Sequence, residues 1–241
     1  MSANVPALPP RLAALASEIA PGSRVADIGT DHGRLPLWLA AHGVAAYCLA
    51  TEKSPALLAR VARADADAPW AGRLVYRSGD GLDAIRPEDR IDTIVLAGLG
   101  GRTIAGILDG GAERSPTVGR LVLQPRSEPF AARAWLSEHG WRLISERLAA
   151  ERGRFHLTLA AERGDDSDLY AHQTLTRDDL LAAGPLLIRS GAPEVALVLR
   201  QERNRLAVIL ARPGSGPAMA RAQAGFARAE RLLAAISTRG G

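Results

Sequence analysis

Short apolar runs alternate with helix-patterned stretches five times along the first part of the chain, and this alternation restricts the fold more than any other feature. The runs are Arg24–Ile28, Ala45–Thr51, Leu74–Arg77, Ile91–Ala97 and Arg120–Gln124. Around them, residues 11–20, Leu35–His42, Pro55–Ala66, Thr103–Leu108 and Pro129–His139 carry helical spacing. Strands joined through helices run parallel, because the chain must cross over to re-enter the sheet from the same edge. The expected fold is therefore α/β, a doubly wound parallel sheet with helices on both faces. Trp141–Leu148 and Phe155–Ala161 then alternate apolar and polar positions on either side of Glu151–Arg154. That pattern adds an antiparallel hairpin to the end of the sheet.

After Ala161 the character changes. Glu162–Asp168 is polar and charged, which sets the expected boundary between a domain over 1–162 and a second over 163–241. Pro193–Arg212 has helical spacing, with Val195, Leu199, Leu206 and Ile209 on one stripe. Pro213–Pro217 must turn the chain, and Met219, Ala222, Phe226, Ala229, Leu233 and Ile236 form a second stripe. Two such stripes joined by a short turn predict an antiparallel helical hairpin. The hairpin is basic: from Ile188 to Gly241 nine Arg face three Glu, while the rest of the chain is mildly acidic. That asymmetry suits an anionic macromolecule as partner.

The first strand runs into Asp27-Ile28-Gly29-Thr30-Asp31-His32-Gly33. A strand, a glycine turn and a helix bring backbone close to a ligand and turn free N–H groups toward it. The dinucleotide fingerprint G-x-G-x-x-G is absent, since Gly98-Leu99-Gly100-Gly101 lacks the last glycine and follows the wrong strand. The phosphate loop G-x-x-x-x-G-K-[ST] is absent too. Glu52 ends the second strand, 25 residues after Asp27, where a carboxylate can accept two ribose hydroxyls. Asp80, in Gly79-Asp80-Gly81, ends the third and can accept from an adenine amine. Ribose and adenine without a phosphate loop point to S-adenosylmethionine, whose cationic sulfonium suits Asp27 and Asp31 as a phosphate would not.

The same residues carry a resemblance. Val25 to Pro36 with its Asp31-His32 and Leu35-Pro36, Gly79-Asp80-Gly81-Leu82, Ala97 to Gly101 and Leu121-Val122-Leu123-Gln124-Pro125 occur in order. They are similar to the bacterial tRNA (adenine-22-N1)-methyltransferase family, from the first helix to at least Arg212. The resemblance implies a Rossmann-like class I methyltransferase sheet with a C-terminal helical hairpin, S-adenosylmethionine as cofactor and tRNA as partner. It implies a cofactor site of Asp27, Gly29, Thr30, His32, Gly33, Leu35, Pro36, Glu52, Lys53, Asp80, Gly81, Ala97, Gly98, Leu99 and Gly100. Asp31 is the expected catalytic residue. Arg34, Gly101, Arg102, Gln124, Arg126, Arg200, Arg203 and Arg205 are the expected RNA contacts. The chain departs from the family at Gly33-Arg34, where an Ala and an aromatic are usual, and at Arg126, where Asn is usual.

Two other readings stay open on sequence alone. One is a small-molecule methyltransferase that dimerises through the hairpin; the other is an RNA-binding relative without activity. No run of 18 apolar residues exists, no secretory signal opens the chain, and Cys48 is the lone cysteine. A cytoplasmic location without a metal or a membrane contact is therefore expected; the oligomeric state stays open on sequence, with a monomer favoured over a dimer.

Overall fold

The computed structural model describes residues 5–30, 32–59, 68–111 and 117–237. The chain divides into two units, Met1–Gly164 and Asp165–Gly241.

The first unit is built on one mixed sheet of seven strands: β1 (Arg24–Ile28), β2 (Tyr47–Glu52), β3 (Leu74–Ser78), β4 (Thr93–Gly100), β5 (Arg120–Ser127), β6 (Trp141–Glu151) and β7 (Arg154–Arg163). Their order is β3-β2-β1-β4-β5-β7-β6. The first five are parallel, and β7 lies antiparallel to both β5 and β6. The strand order reverses beside β1, so the loops after β1 and β4 open next to each other at one edge.

Among the described residues this unit carries the helices α1 (Pro10–Ala16), α2 (Arg34–Ala41), α3 (Gly101–Asp109) and α4 (Pro129–Glu138). Residues 55–59 are also helical, and the remainder of the helix expected over Pro55–Ala66 lies outside the described residues. The period-two alternation of the strands sends Val25, Cys48, Val95 and Val122 to one face, where they pack with Leu12 and Leu15 of α1 and Leu35 and Leu39 of α2. Leu121 and Leu123 leave β5 on the other face, and α3 and α4 pack against the strands there.

Two elements differ from their sequence expectation for tertiary reasons. Helix α1 ends at Ala16, not at residue 20, because the chain tightens into i→i+3 bonds from Glu18 N–H to Leu15 O and from Ile19 N–H to Ala16 O. That tightening buries Glu18, whose carboxylate accepts from Ser145 Oγ at 2.8 Å and from Arg147. The β6–β7 hairpin is longer than its apolar pattern. It closes through Arg152 and Gly153 alone, both at positive φ (50° and 73°), the two-residue turn whose twist matches the strands.

The second unit holds α5 (Arg177–Ala183), α6 (Pro185–Ser190), α7 (Pro193–Leu210) and α8 (Pro217–Ser237). Helices α7 and α8 are antiparallel: Arg203 reaches Glu230 (3.5 Å), and a β-carbon on Gly225 would touch Leu206. Val195, Leu199 and Leu206 are buried, as are Ala222, Ala229 and Leu232. Leu232 takes the core position that the stripe assigned to Leu233. Asp179 fastens α5 to α8 by accepting from Arg231 (2.8 Å) and lying 3.5 Å from Arg228. Burial pushes the Asp179 carboxyl up, but hydrogen bonds from Arg231 and Thr176 outweigh it and hold it below the usual carboxylate range.

Candidate active site

The loop after β1 is fixed from its neighbour strand. Gly29 and Thr30 donate their N–H groups to the Thr51 carbonyl, both at 2.9 Å, and Gly33 N–H donates to Thr30 O. Gly29 (φ 75°) and Gly33 (φ 63°) occupy the left-handed region, which β-carbon sterics make costly for other residues. Gly33 then serves as the N-terminal cap of α2.

Asp27 is 5% exposed at the base of this loop and accepts from Thr30 Oγ1 at 2.7 Å. Burial pushes its carboxyl up to about 6, and the Thr30 hydrogen bond pulls against that rise. A buried carboxylate with a single neutral side-chain partner among the described residues is a site that a cation would complete. Asp31, the expected catalytic residue, lies outside the described residues. His32 and Arg34 are exposed.

Glu52 ends β2 half-buried, with Oε1 accepting from the Ser54 N–H at 3.1 Å. The rest of the carboxylate stays available to a diol. Asp80, expected to meet an adenine amine, pairs with the Lys53 ammonium at 2.8 Å, and both side chains are largely exposed. Such a pair contributes little in water, so the carboxylate can still accept from an amine. Gly79 packs against Ala84, and Gly81 stands at φ 54° facing Ile107. The carboxylates of β1, β2 and β3 therefore do share one sheet edge.

Strand β4 pairs with β1 and ends beside the loop. At Gly98 the backbone turns to φ 74°, and a β-carbon there would meet nothing within 4 Å. Leu99 and Gly100 follow through an irregular register with β5. Ser127 Oγ lies 3.3 Å and Thr103 Oγ1 3.7 Å from where a Gly100 β-carbon would stand. The result is an open turn rimmed by two hydroxyls, next to a loop with a buried carboxylate.

The expected contact residues differ in burial and in the partners they already have. Leu35 and Pro36 are buried, and Leu35 packs with Leu12, Leu15 and Leu39. Their side chains therefore face the core. Ala97 likewise packs against that core. Gln124, expected at the RNA, is 3% exposed and donates to Arg11 O (2.8 Å) and Thr158 Oγ1 (3.2 Å). Its amide ties β5 to its neighbours. Gly101 is buried against the backbone of Glu128, and Arg102 pairs with the Glu128 carboxylate at 2.8 Å. Arg126 is exposed. In the second unit Arg205 is bound to Glu202 and Arg203 to Glu230, whereas Arg200 is exposed without an ion pair among the described residues.

Sequence reasoning passed over Thr103, Ser127 and Phe130 at this edge, and Arg152 and Arg154 in the hairpin turn. Pro129, which breaks the chain directly after β5 and opens α4, was the available signal. Among the described residues no group of His, Cys, Asp and Glu could hold a metal ion, and no helix is long and apolar enough to cross a membrane.

Comparison with known proteins matches this geometry. A family model described as tRNA (adenine(22)-N(1))-methyltransferase matches residues 25–225. The tRNA (adenine(22)-N(1))-methyltransferase of Bacillus subtilis is 32% identical over 179 residues, 74% of each chain. The crystal structure of the B. subtilis m1A22 tRNA methyltransferase TrmK superposes with a TM-score of 0.80 at 26% identity, covering 96% of this chain and 98% of that one. A Streptococcus pneumoniae chain solved in complex with S-adenosyl-L-methionine gives 0.80 at 26% identity over 92% and 98%. Strand order, the glycine loop and its carboxylates, and a family match spanning both units lead to one conclusion: this chain belongs to the tRNA (adenine(22)-N(1))-methyltransferase family.

Proposed function

We propose that this chain methylates N1 of adenine 22 in tRNA, acting as a cytoplasmic monomer, with residues 1–162 holding S-adenosylmethionine and the basic helical hairpin of 163–241 holding the tRNA body. The observation that carries the reading is the open turn at Gly98, placed on the strand beside a loop that presents a buried carboxylate. Bound S-adenosylmethionine supplies an electrophilic methyl group on a cationic sulfur.

The residues present fit that group. Asp27 offers a buried negative charge, Glu52 keeps acceptor capacity for the ribose hydroxyls, and Gly29, Gly33 and Gly81 let backbone approach the ligand. Adenine N1 attacks with an in-plane lone pair and loses no proton first, so the chain's main task is to orient base and donor. Thr103 and Ser127 edge the space in which the base would lie. The methylated base is cationic, and the carboxylate of Asp31 would stabilise that charge as it develops and accept from the N6 amine. Adenine 22 must leave its stack inside the folded tRNA to reach this turn.

Leu206 meets Gly225 between α7 and α8, so part of the apolar stripe is used within the hairpin, while Leu197 and Val208 of α7 stay exposed.

The test is incubation with unmodified tRNA and S-adenosylmethionine, followed by nuclease digestion and mass-spectrometric mapping. We expect 1-methyladenosine at position 22, and its loss in Asp31→Ala with the fold and donor binding retained. Full activity of Asp31→Ala, or methylation confined to small molecules, would overturn the assignment.

A further inference from the structure

The topology brings a fourth loop to the edge that holds the open turn. Strand β7 runs antiparallel to β5, and β6 antiparallel to β7, so β6 ends on the same side as the parallel strands. The sheet order β1-β4-β5-β7-β6 then lines up, in sequence, the Gly29–Gly33 loop, the Gly98–Gly101 turn, residues 126–130 and the Arg152-Gly153 turn. The β5–β7 pairing ends at Leu123↔Leu159, while β6–β7 pairing continues to Glu151↔Arg154. Five residues on from that last pair, the β5 side of the edge has reached Glu128 and the β7 side Arg154.

The side chains along this line are of two kinds. Arg126, Arg152 and Arg154 are exposed and have no ion pair among the described residues. The one carboxylate at the hairpin tip, Glu151, is taken by Arg11, which gives it the backbone N–H at 3.1 Å and Nε at 3.6 Å. Several arginines elsewhere in the sheet are neutralised, Arg77 by Asp89, Arg120 by Glu162 and Arg147 by Glu18. Phe130, in the first turn of α4, is 36% exposed, one of the few large apolar side chains left open. Free guanidinium forks meet phosphate oxygens, and an open ring on the same sheet edge meets a base face.

We propose that Arg126, Phe130, Arg152 and Arg154 form a track for the RNA strand flanking the methylated base, with Phe130 stacking on a nucleobase and the arginines on the phosphates. This rests on tRNA being the substrate. The track is a contact on the sheet unit itself, independent of the helical hairpin. It orders the strand next to the target, so it acts on kcat/KM for tRNA and leaves donor affinity alone.

The experiment uses the full-length chain and one unmodified tRNA transcript, with three readouts: donor affinity by calorimetry, tRNA affinity across a salt series, and kcat and KM for methylation. For Arg152→Ala/Arg154→Ala we expect tRNA affinity to fall roughly tenfold and the slope of log affinity against log salt to flatten by about 1.5. For Phe130→Ala and Phe130→Leu alike we expect kcat/KM to fall roughly tenfold, with Phe130→Trp restoring it. Donor affinity should stay at the wild-type value in all of them, which also reports an intact fold. Wild-type tRNA affinity and slope in the double variant, together with full activity of Phe130→Leu, would overturn the track while the methyltransferase reading stands. A wild-type chain that leaves tRNA unmethylated would overturn both.

Discussion

Gly101 lies so close to the backbone of Glu128 that a β-carbon on it would stand 2.0 Å from the Glu128 carbonyl oxygen. The contact joins the start of α3 to the loop after β5, the two segments that flank the open turn. A backbone carbonyl cannot rotate away as a side chain can, so any larger residue must push the two segments apart.

Gly101→Ala is therefore expected to destabilise the fold by roughly 1–3 kcal/mol and to remove methyl transfer, since base and donor lose their alignment. Thermal unfolding together with a single-turnover assay checks both effects. Gly98→Ala is the contrast: space is open there, and the cost comes only from φ 74°, on the order of 1–2 kcal/mol. A Gly101→Ala protein with wild-type melting temperature and activity would show that the segments are not rigidly joined.

Asp27 makes two pH dependences of opposite sign. Its carboxyl is raised from 3.8 to about 6 in the fold, so the folded state holds the proton more tightly than the unfolded chain. The stabilisation from this group is present below about pH 4 and is lost as pH rises through 6, by at most about 3 kcal/mol. Binding of a cationic donor needs the ionised form and should weaken as pH falls below 6. In Asp27→Asn the ligand-free protein should gain stability at pH 8 relative to wild type but little at pH 4, and donor affinity should become low at both. Denaturant unfolding and calorimetry at the two pH values measure this; equal stability differences at both would remove the assigned titration.

The basic excess of the helical hairpin is partly neutralised by carboxylates of the hairpin and of α5. Arg203 and Arg205 are paired with Glu230 and Glu202, and Arg228 and Arg231 lie against Asp179. Arg200, Arg212 and Arg221 are exposed without an ion pair among the described residues, and Arg239 lies outside them. Reversing Arg212 and Arg221 to Glu should weaken tRNA binding roughly tenfold and flatten its salt dependence, whereas Arg205→Ala should change it less than about threefold. Anisotropy titrations at two salt concentrations separate these outcomes, and a larger loss from Arg205→Ala would reverse the ranking.

Much of the architecture was legible before any coordinate. Strand β1 begins and ends where its apolar run does, because Gly22 and Gly29 punctuate it at positive φ. The helical hairpin was readable because its core stripe is local and periodic, and the carboxylates of Asp27, Glu52 and Asp80 were placed by the strand ends they occupy. What failed were residues whose partners are remote in sequence. Gln124 reads as a polar residue after a strand, yet its amide is committed to Arg11 and Thr158. Leu35 and Pro36 belong to a motif, yet they face the core.

The sequence by itself therefore determined the strand–helix alternation, the glycine loop and the apolar faces, all of which depend on near neighbours and side-chain period. Tertiary structure alone decided which arginines remain free, how far the β6–β7 turn carries Arg152 and Arg154 along the sheet edge, and why residue 101 must be glycine. Each of these depends on distance between segments far apart in the chain, where ion pairing and steric contact act and composition carries no record of them.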